Sequence, residues 1–390
     1  MKRGGEQVER VPSEKTVKVS VIIPVYNSSP YIQQCLDSVT GQSLKELEIL
    51  CVDDGSSDNS ADIVEEAVAK DGRIRLIRQE NAGGGAARNR GMKEARGEYL
   101  AFLDSDDFIE KDMLKKMYEA ARKAAADISI CKARRWHEDL KIWSELPGAM
   151  REELLSDMRV FSWEDMPDGI FNAFHNWPWN KLFRREFLET EEITYQELHR
   201  TNDLYFTCRA LVAAERITLV REVLVNYRVG TKSSCQDTNQ DYPLDFYDAF
   251  RKLKEFLENE GYYQQVEKSF VNHALDGCIA NLNSQEKSAD QEMLYRQLKG
   301  CLLENLGIGR QPASYFHAYN QEAWKALQIV LNKDYKSYLR FRIQELKNER
   351  DEAVRREEAR ADVIYQTVTW KAGKIVTAPI KALAKLIERV

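Results

Sequence analysis

The sequence predicts an α/β fold in which a mostly parallel sheet is sandwiched by helices and is followed by an α-helical C-terminal region. Two observations predict this class. Between residues 17 and 131, short β-branched segments alternate with segments of helical spacing, and each connection can hold the crossover helix that parallel strands require. After about residue 236, apolar residues recur at helical spacing. A chain of 390 residues has room for one large domain or two ordinary ones.

The predicted elements follow from local composition. Strands are short apolar runs that stop at polar or turn-forming residues, and they are predicted at 17–23 (ending at Pro24), 47–52, 74–77, 98–103 and 126–131. Helices have apolar residues three or four positions apart, and they are predicted within 30–39, 63–68, 86–96, 113–121 and 203–211. Residues 217–220 and 223–227 are predicted to form a short hairpin.

Composition shifts predict four segments. They are a flexible leader over 1–15, an α/β domain over 16–235, a helical domain over 236–338, and a charged helix with a basic amphipathic tail over 339–390. From Lys371 to Val390 the chain carries five basic residues and one acidic residue, with the apolar residues on one helical face. Such a helix suits an anionic membrane surface, or it docks on its own domain. Both alternatives stay open, as does the formation of a homo-oligomer.

Composition also limits the class of protein. A net charge of -6 argues against a dedicated nucleic-acid binder. The seven cysteines form no C-x-x-C pair, which predicts reduced and mostly buried thiols in a cytoplasmic protein. The five histidines show no zinc-type spacing. The sequence contains no signal-peptide core and no membrane-spanning run, so the predicted localisation is cytoplasmic, with peripheral membrane contact through 371–390 left open.

Four consecutive predicted strands end in polar residues. Because the carboxyl ends of parallel strands meet at one rim, where open α/β sheets bind ligands, these residues are predicted to converge. They are Tyr26 and Asn27, Asp53 and Asp54, Asn81 with the glycines from Gly83, and Asp104 to Asp106. Polar turns alone would explain the Asn and Gly residues, but they would not explain two separate acidic clusters.

The acidic cluster after the fourth predicted strand is a candidate metal site. Asp104, Asp106 and Asp107 lie within four positions, and carboxylates packed this closely raise each other's pKa unless a cation lies between them. A divalent ion that in turn binds a phosphate is the simplest remedy. The alternative is an acidic turn that caps the next helix, a role that stays open for Asp107.

Gly83 to Gly85 precede a predicted helix and invite comparison with phosphate-binding loops. No Gly-Lys-Ser/Thr follows, and the third glycine of a dinucleotide fingerprint would fall at Arg88, so a Rossmann dehydrogenase is disfavoured. The glycines still let a ligand approach the backbone, and Arg88 suits phosphate or ribose. A nucleotide is therefore predicted at the first two strand ends, where Asp53 or Asp54 could accept its hydrogen bonds, with its diphosphate on a metal at Asp106. Asn81 and Gly83 are included among the predicted nucleotide-binding residues.

Five tryptophans concentrate between residues 134 and 200. They are Trp136, Trp143, Trp163, Trp177 and Trp179. Two interpretations stay open, namely a stacking surface for a ring-shaped ligand and a core packed by large aromatic side chains.

Four ordered motifs are similar to those of family-2 glycosyltransferases with the GT-A fold. They are VSVIIPVYN at 19–27, VDDGSSD at 52–58, Asn81-x-Gly83 with Ala87-Arg88-Asn89-x-Gly91, and GEYLAFLDSDD at 97–107. A weaker resemblance continues through 179–183, 202–206 and Tyr227-Arg228.

The resemblance implies an inverting enzyme that moves a sugar from a nucleotide-sugar, by default a UDP-sugar, to a hydroxyl of a glycan or lipid-linked acceptor in cell-surface polysaccharide synthesis. The residues implied to hold the base and ribose are Pro24, Tyr26, Asp53 and Asp54. Arg88 would lie near the nucleotide, Asp104 would reach the ribose or sugar, and Asp106 would bind Mn²⁺ or Mg²⁺, with Asp104 in the same metal site. Asp203 would be the general base, although the family's usual Glu-Asp pair reads Asn202-Asp203 here.

Two alternatives to this function stay open. One is another metal-dependent, phosphoryl-handling α/β enzyme, although such sites place their carboxylates after the first strand. The other is a non-catalytic, membrane-associated scaffold of the same fold, which the intact acidic residues disfavour. Residues 132–136 are similar to the Gln-x-x-Arg-Trp motif of processive polysaccharide synthases, but they lack its Gln and precede Asp203. The addition of a single sugar is therefore predicted rather than polymerisation.

Overall fold

A computed structural model of the chain describes residues 16–155, 158–231, 241–309 and 311–366. The strands in these residues are β1 (Val19–Val25), β2 (Leu47–Asp53), β3 (Ile74–Arg78), β4 (Tyr99–Phe102), β5 (Phe108–Ile109), β6 (Ile128–His137), β7 (Ile142–Glu145), β8 (Val160–Phe161), β9 (Lys181–Arg184) and β10 (Ile217–Val229). They form one sheet in the order β3-β2-β1-β4-β9-β6-β10-β5, with β7 paired to β6 and β8 to β10.

The helices alternate with the first strands and dominate the second half of the chain. They are α1 (Ile32–Thr40), α2 (Ser60–Lys70), α3 (Gly84–Glu94), α4 (Met113–Ala124), α5 (Arg185–Thr190), α6 (Asn202–Ala213), α7 (Asp245–Asn259), α8 (Tyr263–Asn283), α9 (Ser288–Gln297), α10 (Leu303–Asn305), α11 (Gln321–Asn332) and α12 (Tyr335–Gln366). A π-helical turn, Leu298–Leu302, joins α9 to α10.

Helices cover both faces of the sheet, as predicted. Val19 and Val21 of β1 belong to a buried cluster with apolar residues of α1, α2 and α4. Ile22 points to the other face, where it lies against Gly91 of α3. On that same face Phe102 of β4 makes an edge-to-face contact with Phe206 of α6, with ring centroids 5.4 Å apart. The sheet is mixed because β9 runs antiparallel between β4 and β6.

The first strand is longer than predicted. It runs through Pro24, which pairs with Val52 of β2. On the other side of β1 the pairing with β4 ends at Phe102, opposite Ile22. The missing N–H of Pro24 therefore removes no hydrogen bond from the sheet, and proline is tolerated there.

The predicted hairpin over 217–227 is wrong. These residues form a single strand, β10, which runs parallel to β6 with a register shift between Val220 and Val223. The intervening Arg221-Glu222 pair contains no Gly, Asn or Asp, which two-residue hairpin turns favour. The chain therefore forms a bulge and continues in the same direction.

The C-terminal half is helical, as predicted. In α7 the apolar side chains at helical spacing, Phe246, Phe250, Leu253 and Leu257, are all buried. Contacts divide the chain into two compact units, Met1–Trp324 and Lys325–Val390. In the second unit the described residues are the end of α11 and the long α12, which contains the predicted charged helix. The predicted leader over 1–15 and tail helix over 371–390 lie outside the described residues.

The helices of the described part of the chain bear on the membrane-spanning prediction, and its cysteines bear on the prediction of reduced thiols. No helix there combines the length and apolarity that would cross a membrane. The described cysteines are all free thiols. Cys35, Cys51, Cys131, Cys208 and Cys278 are buried, as predicted, whereas Cys301 is exposed. Cys235 lies outside the described residues.

At Gly97 the backbone before β4 packs closely against the backbone of β1. Its N–H donates to Oγ of Ser20 at 2.8 Å, and a methyl group at Gly97 would lie 2.4 Å from the backbone nitrogen of Ser20. We expect Gly97→Ala to lower the free energy of unfolding by about 2–3 kcal/mol, because backbone in the sheet centre must shift. Urea denaturation measures it. Gly72→Ala is the matched control, since nothing lies near its new methyl group, and equal losses in both variants would contradict the packing argument.

Candidate active site

Hydrogen bonds join the loops after the first three strands into one rim. Oδ1 of Asn27, after β1, accepts from the backbone N–H of Ser57, after β2, at 2.8 Å. Asp54, directly after β2, accepts from the backbone N–H groups of Ala82 and Gly83, after β3, at 2.9 and 2.8 Å. The convergence predicted from the parallel topology is therefore present.

Asp53 and Asp54 are both buried, and each organises a turn. Oδ1 of Asp53 accepts from the N–H of Ser56 at 3.2 Å. Both carboxylate oxygens of Asp54 are engaged, because the amide of Gln79 also donates to Oδ1 at 2.7 Å. A direct contact of either residue with a nucleotide stays a prediction, and holding the rim in shape is the role that these bonds describe.

Other predicted nucleotide-binding residues leave space beside this rim. Tyr26 directly follows β1 and has 53% of its surface exposed, so its ring is available for stacking. Asn81 is exposed, while Pro24 and Gly83 are partly exposed. Gly83 has a φ of 90°, which glycine adopts without strain and which lets the chain enter α3.

One of the three consecutive glycines is required by the protein itself. A methyl group at Gly85 would lie 2.3 Å from the carbonyl oxygen of Gln196. The glycine run was predicted to admit a ligand. At Gly85 it admits instead a second segment of backbone, which brings α3 against the start of α6.

Arg88 connects two carboxylates that come from distant parts of the chain. It lies on α3, it is buried, and its Nη2 donates to Oδ1 of Asp104 at 2.6 Å. Its Nη1 donates to Oδ1 of Asn202 at 3.1 Å and lies 3.3 Å from Oδ1 of Asp203. The guanidinium also lies over the ring of Tyr195, 5.4 Å from its centroid. The structure thus brings Arg88, Asp104 and Asp203 together.

Asp203 has the properties of a proton acceptor. It lies in the first turn of α6 and is partly buried, and burial raises its pKa to about 6, with Arg88 opposing and Asp104 adding to the shift. Its buried Oδ1 faces Nη1 of Arg88 at 3.3 Å, while 21% of the side chain stays exposed. A partly exposed carboxylate with a pKa near the working pH can accept a proton from a hydroxyl.

Asp106 suits a divalent metal whose other ligands would come from a diphosphate. Burial, together with the nearby Asp104, raises the pKa of Asp106 to about 6, and a hydrogen bond from its own backbone N–H opposes the shift. The residue is partly exposed. Within the described residues no group of three or more His, Cys, Asp or Glu side chains is arranged to hold a metal. A cation here would therefore complete its coordination with oxygens of the substrate.

Asp107 is not the helix cap that was considered for it. It is fully buried, and Oδ1 accepts from the backbone N–H of Arg228 at 2.7 Å, whereas α4 begins later, at Met113. Burial raises the pKa of Asp107 well above its usual value, and Asp106 and Asp104 add to the shift. Asp107 therefore ties the acidic loop to β10.

Arg228 is an organising residue that the sequence analysis did not assign. It is buried on β10, and its Nε donates to the backbone oxygen of Asp106 at 2.6 Å. It pairs with Glu138, and its Nη2 donates to Oε1 of Gln34 at 2.8 Å. The available signal was an arginine that directly follows the predicted strand over 223–227 and precedes another apolar residue, Val229.

Lys181, within the segment 179–183, is a second organising residue for which the sequence predicted no role. It is fully buried on β9, and burial lowers its pKa to about 7. Its Nζ donates to the carbonyl oxygens of His175 and Trp177 at 2.8 and 2.7 Å and to Oδ1 of Asn180 at 2.9 Å. Lys181 therefore holds the 175–177 turn beside the rim.

The tryptophan-rich region contains both core and stacking contacts. Trp179 is buried in the core, whereas Trp177 is partly buried and stacks on Tyr227 with centroids 5.3 Å apart. Trp136 contacts Trp143, and the guanidinium of Arg134 lies 3.8 Å from the ring centroid of Trp143. The core interpretation holds for Trp179, and ligand stacking on the others stays a prediction.

Comparisons with known proteins agree with this arrangement. Residues 20–191 match the family described as Glycosyl transferase family 2. EpsH of Bacillus subtilis (strain 168), a protein assigned to the glycosyltransferases, is 32% identical over 304 residues, which are 75% of this chain and 83% of EpsH. The poly(ribitol-phosphate) beta-glucosyltransferase of Bacillus spizizenii is 32% identical over 61% of this chain, and the match spans 36% of that enzyme.

The fold has a solved counterpart. The structure of S. aureus TarS 1-349 in complex with UDP-GlcNAc has a TM-score of 0.64 and 22% identity, over 85% of this chain and 92% of that one. At this identity the likeness shows the fold. Together with the identity to EpsH over most of both chains, it means that the protein belongs to glycosyltransferase family 2 and is a glycosyltransferase of the GT-A fold.

Proposed function

We propose that the protein transfers a sugar from a UDP-sugar to a hydroxyl of a cell-surface polysaccharide or lipid-linked acceptor, with inversion at the anomeric carbon. The observation that carries the proposal is the contact of Arg88 with both Asp104 and Asp203. It supports a site where a proton acceptor lies beside the carboxylates that would bind the donor. The name of the poly(ribitol-phosphate) beta-glucosyltransferase supports a polymeric acceptor, and UDP-GlcNAc in TarS is the first donor to test.

In this mechanism the oxygen of the acceptor hydroxyl attacks the anomeric carbon, and Asp203 accepts the proton of that hydroxyl. The bond between the anomeric carbon and the nucleoside diphosphate breaks in the same step. Arg88 holds Asp203 and Asp104 in place. Asp106, with Asp104, would hold Mn²⁺ or Mg²⁺, which when bound neutralises charge on the leaving diphosphate. Tyr26 and Asp53 would contact the base and ribose, and the rim bonds of Asp54 would hold the loop around Gly83.

The scaffold alternative makes a different prediction for every assay below, because a scaffold needs neither donor turnover nor metal-dependent nucleotide binding. Peripheral membrane contact through 371–390 and assembly into a homo-oligomer remain proposals that vesicle sedimentation and light scattering would test.

The proton-accepting role is tested with Asp203→Asn. We expect the turnover number for sugar transfer to fall by about 10²–10⁴-fold, because the amide keeps the shape but cannot accept the proton. UDP binding, measured by calorimetry, should persist. Asp62→Asn removes an exposed carboxylate from the first turn of α2 and serves as the control. Wild-type turnover in Asp203→Asn would exclude this residue as the base.

The metal role is tested with Asp106→Asn. We expect Mn²⁺ to tighten UDP binding to the wild-type protein and to have little effect on this variant, because the carboxylate that holds the cation is lost. Asp112→Asn, an exposed position just before α4, is the control for loss of charge nearby. UDP binding that is indifferent to Mn²⁺ and to chelator in the wild-type protein would rule out the metal assignment.

The pH dependence of turnover gives a third test. Asp203 must be deprotonated to act, and its pKa is raised to about 6. We therefore expect the turnover number at saturating donor and Mn²⁺ to rise with pH through about 6, falling tenfold per pH unit on the acid side. Asp203→Asn should flatten this limb. A flat wild-type profile between pH 5 and 7 would contradict the assignment.

A further inference from the structure

A second cleft lies apart from the rim. It has a volume of about 180 Å³ and is bounded by the segment around Arg151 and His175, by Thr201 before α6, and by helices α7 and α8. Phe250 of α7 forms part of its apolar wall. This volume is below the ~300–1,000 Å³ of pockets for drug-sized ligands, so the cleft fits a single ring or a short linear unit.

The charged groups of this cleft have few polar partners in the described chain, although the guanidinium of Arg151 lies over the ring of Tyr319, 4.0 Å from its centroid. Asp276 of α8 is exposed to the cleft, and no ion pair or hydrogen bond engages its carboxylate within the described residues. The Nε of Arg151 donates to the carbonyl oxygen of Asn172 at 3.0 Å, but no carboxylate of the described residues pairs with its guanidinium. Nε2 of His273 is buried, again without a partner in the described chain. One cleft therefore presents unused donors and an unused acceptor.

The cleft is connected to the rim by two routes. Thr201, in its wall, lies two positions before Asp203 in the chain. His175, also in the wall, stacks on Trp177 at 4.1 Å between centroids, and Trp177 stacks on Tyr227, the neighbour of Arg228. A molecule held in the cleft would thus lie beside the start of α6, the helix that carries Asp203.

We propose that this cleft binds one neutral sugar or polyol unit of the acceptor. The inference rests on the proposed transfer reaction and adds where its acceptor is held. Hydroxyl groups can both donate to Asp276 and accept from Arg151, so one polyol unit matches both charged groups of the cleft. The guanidinium alone would also suit a phosphate, but the carboxylate of Asp276 in the same small cleft repels an anion.

The histidines of the cleft agree with a neutral ligand. Burial lowers the pKa of His273 to about 4 and that of His175 to about 3, and the nearby Arg151 adds to both shifts. Both rings are therefore uncharged at pH 7, and each can offer one donor and one acceptor.

Ligand-observed NMR with methyl glycosides of glucose, galactose and N-acetylglucosamine and with ribitol tests the proposal, with glycerol 3-phosphate as the anionic probe. We expect at least one neutral probe to bind the full chain, and Asp276→Ala to weaken it about tenfold, since a charged hydrogen bond is lost. Arg151→Met should act in the same direction. Glu267→Gln, an exposed position on α8 outside the cleft, should leave binding unchanged.

The proposal is overturned if no neutral probe binds, if binding is the same in Asp276→Ala, or if glycerol 3-phosphate binds in preference. UDP binding with Mn²⁺, measured on the wild-type protein in parallel, distinguishes this outcome from failure of the donor site. Loss of nucleotide binding with retained glycoside binding would count against the proposed reaction and not against the cleft.

Discussion

The candidate active site depends on the ion pairs that the guanidinium of Arg88 forms with two carboxylates. The guanidinium is buried between Asp104, which follows β4, and Asp203, which opens α6. A buried cation without partners would be strongly unfavourable, and so would two carboxylates this close together without a cation. Each of the three groups is therefore acceptable only because the others are present. The close approach of α3 to the start of α6, which Gly85 permits, is what allows the contact.

The polar residues of the rim divide into those that hold the loops and those that remain available. Asn27 and Asp54 accept hydrogen bonds from neighbouring loops, so the rim is shaped before any ligand arrives. The carboxylates of Asp106 and Asp203 are partly exposed, and Tyr26 is exposed. A preorganised rim with a few accessible polar groups is the arrangement expected of a site whose ligand supplies further partners.

The features that could be predicted from the sequence are those that depend on local residue patterns and on the parallel topology. The alternation of strands and helices up to α4 follows from spacing, and parallel strands bring Asp54, Gly83 and Asp104 to one edge. Features that depend on distant partners could not be predicted. The insertion of β9 between β4 and β6 and the burial of Asp107 against Arg228 both join segments far apart in the chain. The hairpin error had a local cause, because a bulge and a turn both interrupt an apolar run.

The order of strands in the sheet has a consequence for how the molecule forms. β1 to β4 pair among themselves, whereas the second edge of β4 must wait for β9, and β6 must wait for β10. Contacts of low sequence separation form faster, since less chain entropy is lost in closing them, so nucleation in the N-terminal half is favoured. A nascent chain would then possess the loops shaped by Asn27 and Asp54 before α6 delivers Asp203. The shape of these loops would thus be set before the last strands and α6 join the sheet.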